Sequence, residues 1–593
     1  MSLDLQEGQR AGIVKMLQLK AGSSSDDRRI EAVPQWKVLV YDRACQDIIA
    51  PLMKVGQLRN LGVTLHLALR AERHPVPDVP VIYFVEPTEE SISRIVADYK
   101  AGLYSYMYVN FSSSISSKLL QKFASEISRI SPPRPVQISK VIDRFSSFVS
   151  LDQTTFSLNQ SSSYLSLHQS ATSEAEIESA IDRTALGLLS LIVTCVRQVP
   201  VIRAPPNEAA GMVAQQLHER LVELVNSPSS SEIFSASASV SADPSHAQRP
   251  LLVILDRDLD LAPMVAHGWS YGSLMTDLLG MSLNKLSIPN ENKHYDIDPS
   301  EAFWKRSAHL PFPEAATAVN ELVSEFSRMR GQVTSADPTG GLTSAVSALP
   351  QITEMKKTVD MHTTIATALL NEIKARSVDK FVEIENDLNL TVFSQVLAAT
   401  EGNFGDADKI RTALVLLLKK DNIPAQKIEQ ITSSLSSCPD SGALKYLRYL
   451  MSLRNVPQTA QPVVATPQLP AALGGLAKEI RARGQGLLAN IKNVLPSNGN
   501  LVVTNAVQQL ADQTQNALTD SFSYFDPRNP HSSVRVRGSF RQVIVCLVGG
   551  GCRTEAENLS AWATKTGRIA IYGATDFPSP TQFVQDLAKL GHQ

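Results

Sequence analysis

The sequence predicts an α/β chain with parallel sheets, interrupted in its second half by a large, mainly helical insertion. Three observations carry this. The first third alternates short apolar, β-rich runs with stretches of helical period. Comparable runs return at Leu251 to Leu255, Val543 to Val548 and Arg568 to Tyr572. Between about 271 and 500, strand patterns nearly vanish and helical periods dominate. Strands alternating with helices imply parallel pairing through right-handed crossovers.

Taken in order, Trp36 to Tyr41 is the first strand, and Thr64 to Leu69 and Val79 to Val85 are two more. Helical periods fill Asp47 to Leu61 and Glu89 to Lys100. Thr88 to Ser91 reads as a helix start, with Pro87 before it and two acids in the first turn. A helix from about Ser117 to Ile130 stops at Pro132-Pro133, and a further stretch covers Val136 to Val149. In the insertion, helical periods run over Ala315 to Met329, Gln351 to Arg376, Lys409 to Lys420 and Ala443 to Leu453. Ser227 to Arg249, Ser335 to Ser347 and Val456 to Leu473 are poor in bulky apolar residues and read as exposed loops or linkers.

Composition excludes classes without naming an activity. The chain has 593 residues, Lys+Arg 56 against Asp+Glu 58, and a net charge of -2. No broad basic field attracts nucleic acid or an acidic membrane. Five cysteines, odd in number and mostly far apart, predict a reducing compartment without a disulfide framework. The opening MSLDLQEGQR is polar with two acids, so no secretory signal is expected. The longest apolar stretch, about Ala185 to Val196, reads as too short to span a bilayer.

Three motifs test enzymatic readings. Asp256-Arg257-Asp258 follows a buried strand, where paired carboxylates could hold a divalent ion against a nucleotide-sugar diphosphate. That would make the chain a metal-dependent glycosyltransferase; the other reading is a strand-to-helix corner whose acids cap amides and pair with Arg257. Gly268-Trp269-Ser270-Tyr271-Gly272 matches the nucleophile-elbow pattern, but the preceding strand ends at Leu255 and Pro263 interrupts the approach. Gly549-Gly550-Gly551 sits between a strand and a helix as a dinucleotide turn would, yet Thr554 stands where the third glycine belongs. No histidine or cysteine cluster has metal-ligand spacing.

Several ordered stretches together resemble one family. Trp36 to Asp42, Asp47 to Leu52, Leu58 to Thr64 and Ile82 to Thr88 are similar to the opening of SM (Sec/Munc) proteins, the SNARE-binding regulators of vesicle fusion. Leu255 to Asp260, with Pro263, His267, Trp269 and Tyr271, resembles the family's central signature. Phe303-Trp304, Phe312, Val548 to Gly551 and Ile571 to Gly573 fit as well. Pro51 to Leu69, Pro77 to Pro80, Leu342 to Pro350 and Tyr524 to Pro527 are similar to its ER–Golgi, Sly-type branch.

The resemblance implies a three-domain arch: two parallel-sheet α/β domains, the second carrying a large mainly helical insertion. The expected boundaries are 1–150, then a split domain of 151–270 and 500–593, with the helical domain at 271–499. It implies a non-enzymatic regulator, a monomer without cofactor or metal, cytoplasmic and peripherally associated with ER and Golgi membranes through SNAREs. The implied partners are a Golgi syntaxin with its N-terminal peptide, a vesicle SNARE and assembled SNARE complexes. Tethering factors are further candidates; nucleic acid and direct membrane insertion are not expected.

Two binding surfaces follow. Leu120, Phe123, Ala124 and Ile127 share one apolar helix face. In Sly-type relatives a pocket matching Leu120, Phe123, Ala124 and Val136 receives an aromatic residue of the syntaxin N-terminal peptide. The second surface is the helix from Gln351 to Arg376. Ile352, Met355, Val359, Thr363 and Ala366 trace one of its faces, continued by Leu370 and Ile373. In the family this helix belongs to a hairpin that cradles the vesicle SNARE beside its partner. Pro350 matches the point where that helix bends or extends, and Thr363 stands where synaptic relatives carry Leu. About Gly331 to Leu349 separates the hairpin helices, a shorter segment than the lid of many Sly-type relatives.

Overall fold

The computed structural model describes residues 3–19, 36–228, 230–234, 249–288, 293–334, 342–399, 404–420, 423–454, 499–516, 518–531 and 538–592. The Pro/Ala-rich run Val456 to Leu473 lies outside them, as do most of Ser227 to Arg249 and residues 335–341.

After helix α1 (Leu5–Leu17), the first sheet is built from β1 (Lys37–Tyr41), β2 (Val63–Ala68), β3 (Val81–Val85), β4 (Tyr106–Phe111) and β5 (Gln137–Asp143). Its order is β2-β1-β3-β4-β5, parallel throughout. The expected single helix over Asp47 to Leu61 is instead two, α2 (Arg43–Ile49) and α3 (Val55–Asn60). Pro51 has no N–H to donate and its ring obstructs the preceding turn, so the segment breaks there. Helix α4 (Glu89–Ala101) starts where expected, with the Thr88 hydroxyl accepting from Ser91 N. Helix α5 (Ser117–Ser128) is capped by Ser116.

A second, seven-stranded sheet takes strands from both ends of the chain. In chain order these are β6 (Val149–Ser150), β7 (Thr155–Ser157), β8 (Val201–Ala204), β9 (Leu251–Asp256), β12 (Ser523–Phe525), β13 (Gln542–Val548) and β14 (Ile569–Ala574). The spatial order is β12-β8-β9-β13-β14-β7-β6; the two edge strands run antiparallel and the inner five parallel. Helices α6 (Ser163–His168), α7 (Glu174–Leu191) and α8 (Ala209–Val225), with the single turn α9 (Ser230–Ile233), connect its first strands.

The apolar stretch near Ala185 proves to be the end of a longer element. Helix α7 continues through a π-helical turn to Val196, a continuous helix long and apolar enough to cross a membrane. Here Leu188, Leu191 and Ile192 are buried with Val213, Leu217 and Ile254 in the core of the seven-stranded sheet. All five cysteines are free.

Between β9 and β12 the chain is mostly helical, but not without strands: β10 (Lys285–Ile288) and β11 (Lys293–Asp296) form an antiparallel hairpin. Short helices α10 (Ala262–Val265), α11 (Tyr271–Leu278) and α12 (Ala302–Ser307) lead to the long pair α13 (Phe312–Thr334) and α14 (Leu342–Arg376). Helix α14 starts at Leu342 rather than Gln351, so part of the expected loop Ser335 to Ser347 is helical. Pro350 lies within the helix on an exposed turn. Beyond it come α15 (Val378–Asp387), α16 (Leu390–Ala398), α17 (Asp406–Lys419), α18 (Ala425–Ser434) and α19 (Gly442–Arg454). The chain returns through α20 (Val502–Asp512), α21 (Arg553–Thr566) after β13, and α22 (Pro580–Leu590).

Buried ion pairs tie the insertion to the segment leaving β9. His267 Nδ1 is 2.7 Å from Glu385 on α15, and its Nε2 is 3.1 Å from Asp408 on α17. Burial and Arg411 oppose charge on this imidazole, but Glu385 and Asp408 outweigh them and raise its proton affinity. Unfolded histidine titrates near about 6.5, so this contribution is complete below that pH and lost as pH rises through the folded-state value. The urea midpoint is expected to fall as pH rises above the unfolded-histidine value of about 6.5, and His267→Gln should flatten the profile. An unchanged slope in that variant would contradict the assignment.

Candidate functional site

The residues expected to form the peptide pocket lie on and beside α5, which packs on the first sheet. Leu119, Phe123 and Ile127, at i, i+4 and i+8, point into the core with Tyr83, Val109 and Phe111. Phe123 is only 3% exposed and forms a floor rather than a rim. One position away on the helix wheel, Leu120 is 39% exposed and Ala124 is also open to solvent. Val136, just before β5, is half-buried against the same core. The expected residues therefore share one region but divide into floor and shoulder.

Strand β5 adds a residue the sequence reading missed. Val141 pairs with Val109, whose side chain lies in the core beneath α5, so register places Val141 on the same side of the sheet. It is 39% exposed on an edge strand. The signal was a weak apolar–polar alternation in Gln137 to Asp143, which becomes informative only with the pairing known.

On α14 the structure redraws the expected face. The inward seam is His362, Ile365, Leu369 and Ile373, packed with Tyr271, Phe303 and Trp304 of α11 and α12. His362 Nδ1 meets Tyr271 Oη at 3.0 Å and its Nε2 meets Glu301 at 3.2 Å. Val359 is 7% exposed and turned inward, while Thr363 and Leu370 are exposed. Seven residues assigned to one stripe thus straddle the boundary, because a periodicity of 3.6 drifts across a 35-residue helix.

The carboxylates of the D-x-D run each have protein hydrogen-bond partners of their own. Asp256 Oδ1 accepts from Ala210 N at 3.0 Å and shares its surroundings with Glu208, which burial and the neighbouring Asp256 charge push up to about 10. Asp258 accepts from Tyr164 Oη at 2.8 Å and lies 2.9 Å from His168 Nε2. Burial alone would raise the Asp258 pKa; His168, Tyr164 and Arg257 bring it below the usual range. Asp260 caps Ala262 N at 3.0 Å. No group of three or more His, Cys, Asp or Glu able to hold a metal occurs among the described residues. These acids organise a corner, which disfavours the glycosyltransferase reading.

The other motifs are structural too. Ser270 caps α11, accepting from Ser273 N at 3.1 Å and donating to Glu557 at 2.9 Å, so it is no nucleophile on a strand end. Gly549 has φ +100 and a Cβ there would sit 2.9 Å from the Cβ of Arg257. Gly573 faces the Phe156 ring so closely that a Cβ would come within 2.2 Å. Asp526 of the Tyr524 to Pro527 run binds the buried Arg249 guanidinium through both oxygens, at 3.0 and 2.8 Å.

Comparison with known proteins agrees with this architecture. The model of the Sec1 family matches residues 37–586. The chain is 34% identical over 627 residues to the SEC1 family transport protein SLY1 of Arabidopsis thaliana, covering 100% of this chain and 97% of that protein. It is 32% identical over 617 residues to human Sec1 family domain-containing protein 1, covering 94% of each. The crystal structure of Sly1p in complex with an N-terminal peptide of Sed5p superposes with a TM-score of 0.79 at 30% identity, covering 100% of this chain and 99% of that one.

Proposed function

The chain belongs to the Sec1 family, and from that premise we propose that it regulates vesicle fusion in ER–Golgi transport by binding SNAREs. It acts by holding a Golgi syntaxin and templating and protecting the SNARE complex, without a covalent step. The observation that carries this is the full-length likeness to peptide-bound Sly1p, together with the open apolar shoulder on α5. The chain reaches ER and Golgi membranes through these proteins.

In this reading the syntaxin N-terminal peptide docks where Leu120, Ala124 and Val136 surround the Phe123 floor, with Val141 extending the surface. One aromatic side chain seated there supplies a hot spot, because burying it displaces water from both partners. The hairpin of α13 and α14 is the template. Thr363 and Leu370 are available on its exposed side, Pro350 lies where the helix extends, and Val359 supports the helix from within. Aligning two otherwise disordered SNARE helices on a preformed surface lowers the ordering entropy each loses on assembly. The vesicle SNARE and tethering factors are the further partners of this surface.

Leu120→Lys tests the docking site. It should weaken binding of a Golgi syntaxin N-terminal peptide by roughly 2–3 kcal/mol, about 30- to 150-fold, through lost apolar contact. Calorimetric titration of the folded variant measures it, and an affinity equal to wild type would remove the assignment.

A further inference from the structure

A cavity of about 1200 Å³ lies between the seven-stranded sheet and the first helices of the insertion. Its floor is formed by residues that follow β7, β13 and β14, including Asn159, Gly551 and Asp576. One wall is a face of α21, and the opposite wall comes from α11 and α12. In open α/β sheets, the crevice beyond the carboxyl ends of the strands is where ligands bind. Ligand cavities are commonly roughly 300–1,000 Å³, so this one has room for a sizeable molecule. SNARE binding at α5 and α14 makes no use of it.

The charges on its walls are unequally engaged. Four carboxylates line it, and each already has donors from the protein. Asp277 takes both Nη atoms of Arg411, at 2.9 and 2.7 Å. Asp152 accepts from Thr154 N at 2.8 Å, and Asp576 accepts from the amides of Ser162 and Phe577 at 3.2 and 2.8 Å. Glu557 accepts from Ser270, and burial pushes it up to about 7, which removes part of its charge near neutrality. The cations Lys305, Arg553 and Lys565 also line the cavity, and none makes an ion pair among the described residues. Arg553 stacks on the Trp304 ring, 5.2 Å from its centroid, and its charge also favours the ionised form of Glu557 against the larger effect of burial.

We propose that this cavity binds a phosphorylated small molecule. Phosphate oxygens would take the donors of Lys305, Arg553 and Lys565 as charge-assisted hydrogen bonds. The many hydroxyls of the lining, such as Ser161, Thr276 and Thr564, suit the polar remainder of a polyol or nucleoside ester. The first residues of α21 also line the cavity, and its N-cap Cys552 makes no side-chain bond to the first-turn amides. The helix end therefore adds its dipole beside Arg553, while Lys565, in the last turn of α21, lines the cavity roughly 18 Å further along the helix.

Calorimetric titration of the whole chain with inositol hexakisphosphate, ATP, inorganic phosphate and a poly-glutamate peptide tests this. Saturable one-to-one binding of either phosphate ester is expected. It should weaken by at least about tenfold in the Lys305→Ala, Lys565→Ala double variant, whose two side chains are exposed, and likewise in Arg553→Gln. No saturable binding at about 1 mM, undiminished binding in these variants, or equal binding of poly-glutamate would each overturn the proposal.

Discussion

Replacing Glu555 by alanine should destabilise the seven-stranded α/β unit by about 3–5 kcal/mol. The carboxylate meets both Nη atoms of Arg257 at 2.8 Å and accepts from Tyr572 Oη at 2.5 Å. Both charged side chains are almost wholly shielded from water. Removing one partner leaves an uncompensated guanidinium in a low-dielectric interior, which costs far more than the net worth of the intact pair. Arg257 also donates to the carbonyl of Gly550, so the variant would loosen the turn after β13 as well as the pair. The expected fall in melting temperature is roughly 10 °C for a unit of this size. Glu555→Gln, which keeps two polar atoms in place, should lose less. A fall below about 1 kcal/mol in Glu555→Ala, read from urea unfolding of this unit, would show that Arg257 finds other compensation.

Arg411→Met should be comparably damaging in the helical insertion, again about 3–5 kcal/mol. This fully buried guanidinium binds both oxygens of Asp277 on α11 and donates through Nε to Val265 O at 2.9 Å. It also reaches Ala266 O at 3.2 Å, and Asp408 lies 3.4 Å away. Methionine fills much of the volume but leaves Asp277 ionised and buried without its partner, and strands two carbonyls. Arg376 still holds Asp408 through two bonds, at 3.0 and 2.6 Å, so α14 and α17 should remain joined. The damage should therefore concentrate at α10 and α11. Faster amide exchange there than at α14 is the expected pattern, and uniform acceleration across the insertion would contradict it.

The parts of this fold that were legible in sequence are those whose signal is local. Val38 to Tyr41 and Val543 to Val548 are continuous apolar runs, and a buried parallel strand needs nothing else to announce it. Thr88 followed by two acids marked a helix start through capping chemistry alone. Strands β8 and β12 were not legible, because three or four residues carry no periodicity and their pairing joins segments some 320 residues apart. The β10–β11 hairpin was hidden by the helical composition around it.

The candidate site shows the same division. Spacing placed Leu120, Phe123, Ala124 and Ile127 on one helix, but it could not say which would be floor and which shoulder. That depends on the angle at which α5 meets the sheet. Val141 required the β4–β5 register. The acids of the D-x-D run looked like a pair because they are two residues apart, whereas their partners, Glu208, Tyr164 and His168, come from other elements. On α14, Pro350 suggested a boundary by its missing N–H, yet an exposed turn of a long helix tolerates that loss.

If this chain accelerates SNARE assembly by presenting a template, the rate of that assembly depends on its presence. A fluorescently labelled Golgi syntaxin, its companion SNAREs and the vesicle SNARE would be mixed with the whole chain, and formation of the four-helix complex followed in time. Wild-type chain should raise the initial rate several-fold over an inert protein at the same concentration. Leu370→Asp, which charges the exposed side of α14, should abolish most of that gain while leaving the fold intact. A rate equal to that with the inert protein would show that the chain does not template assembly.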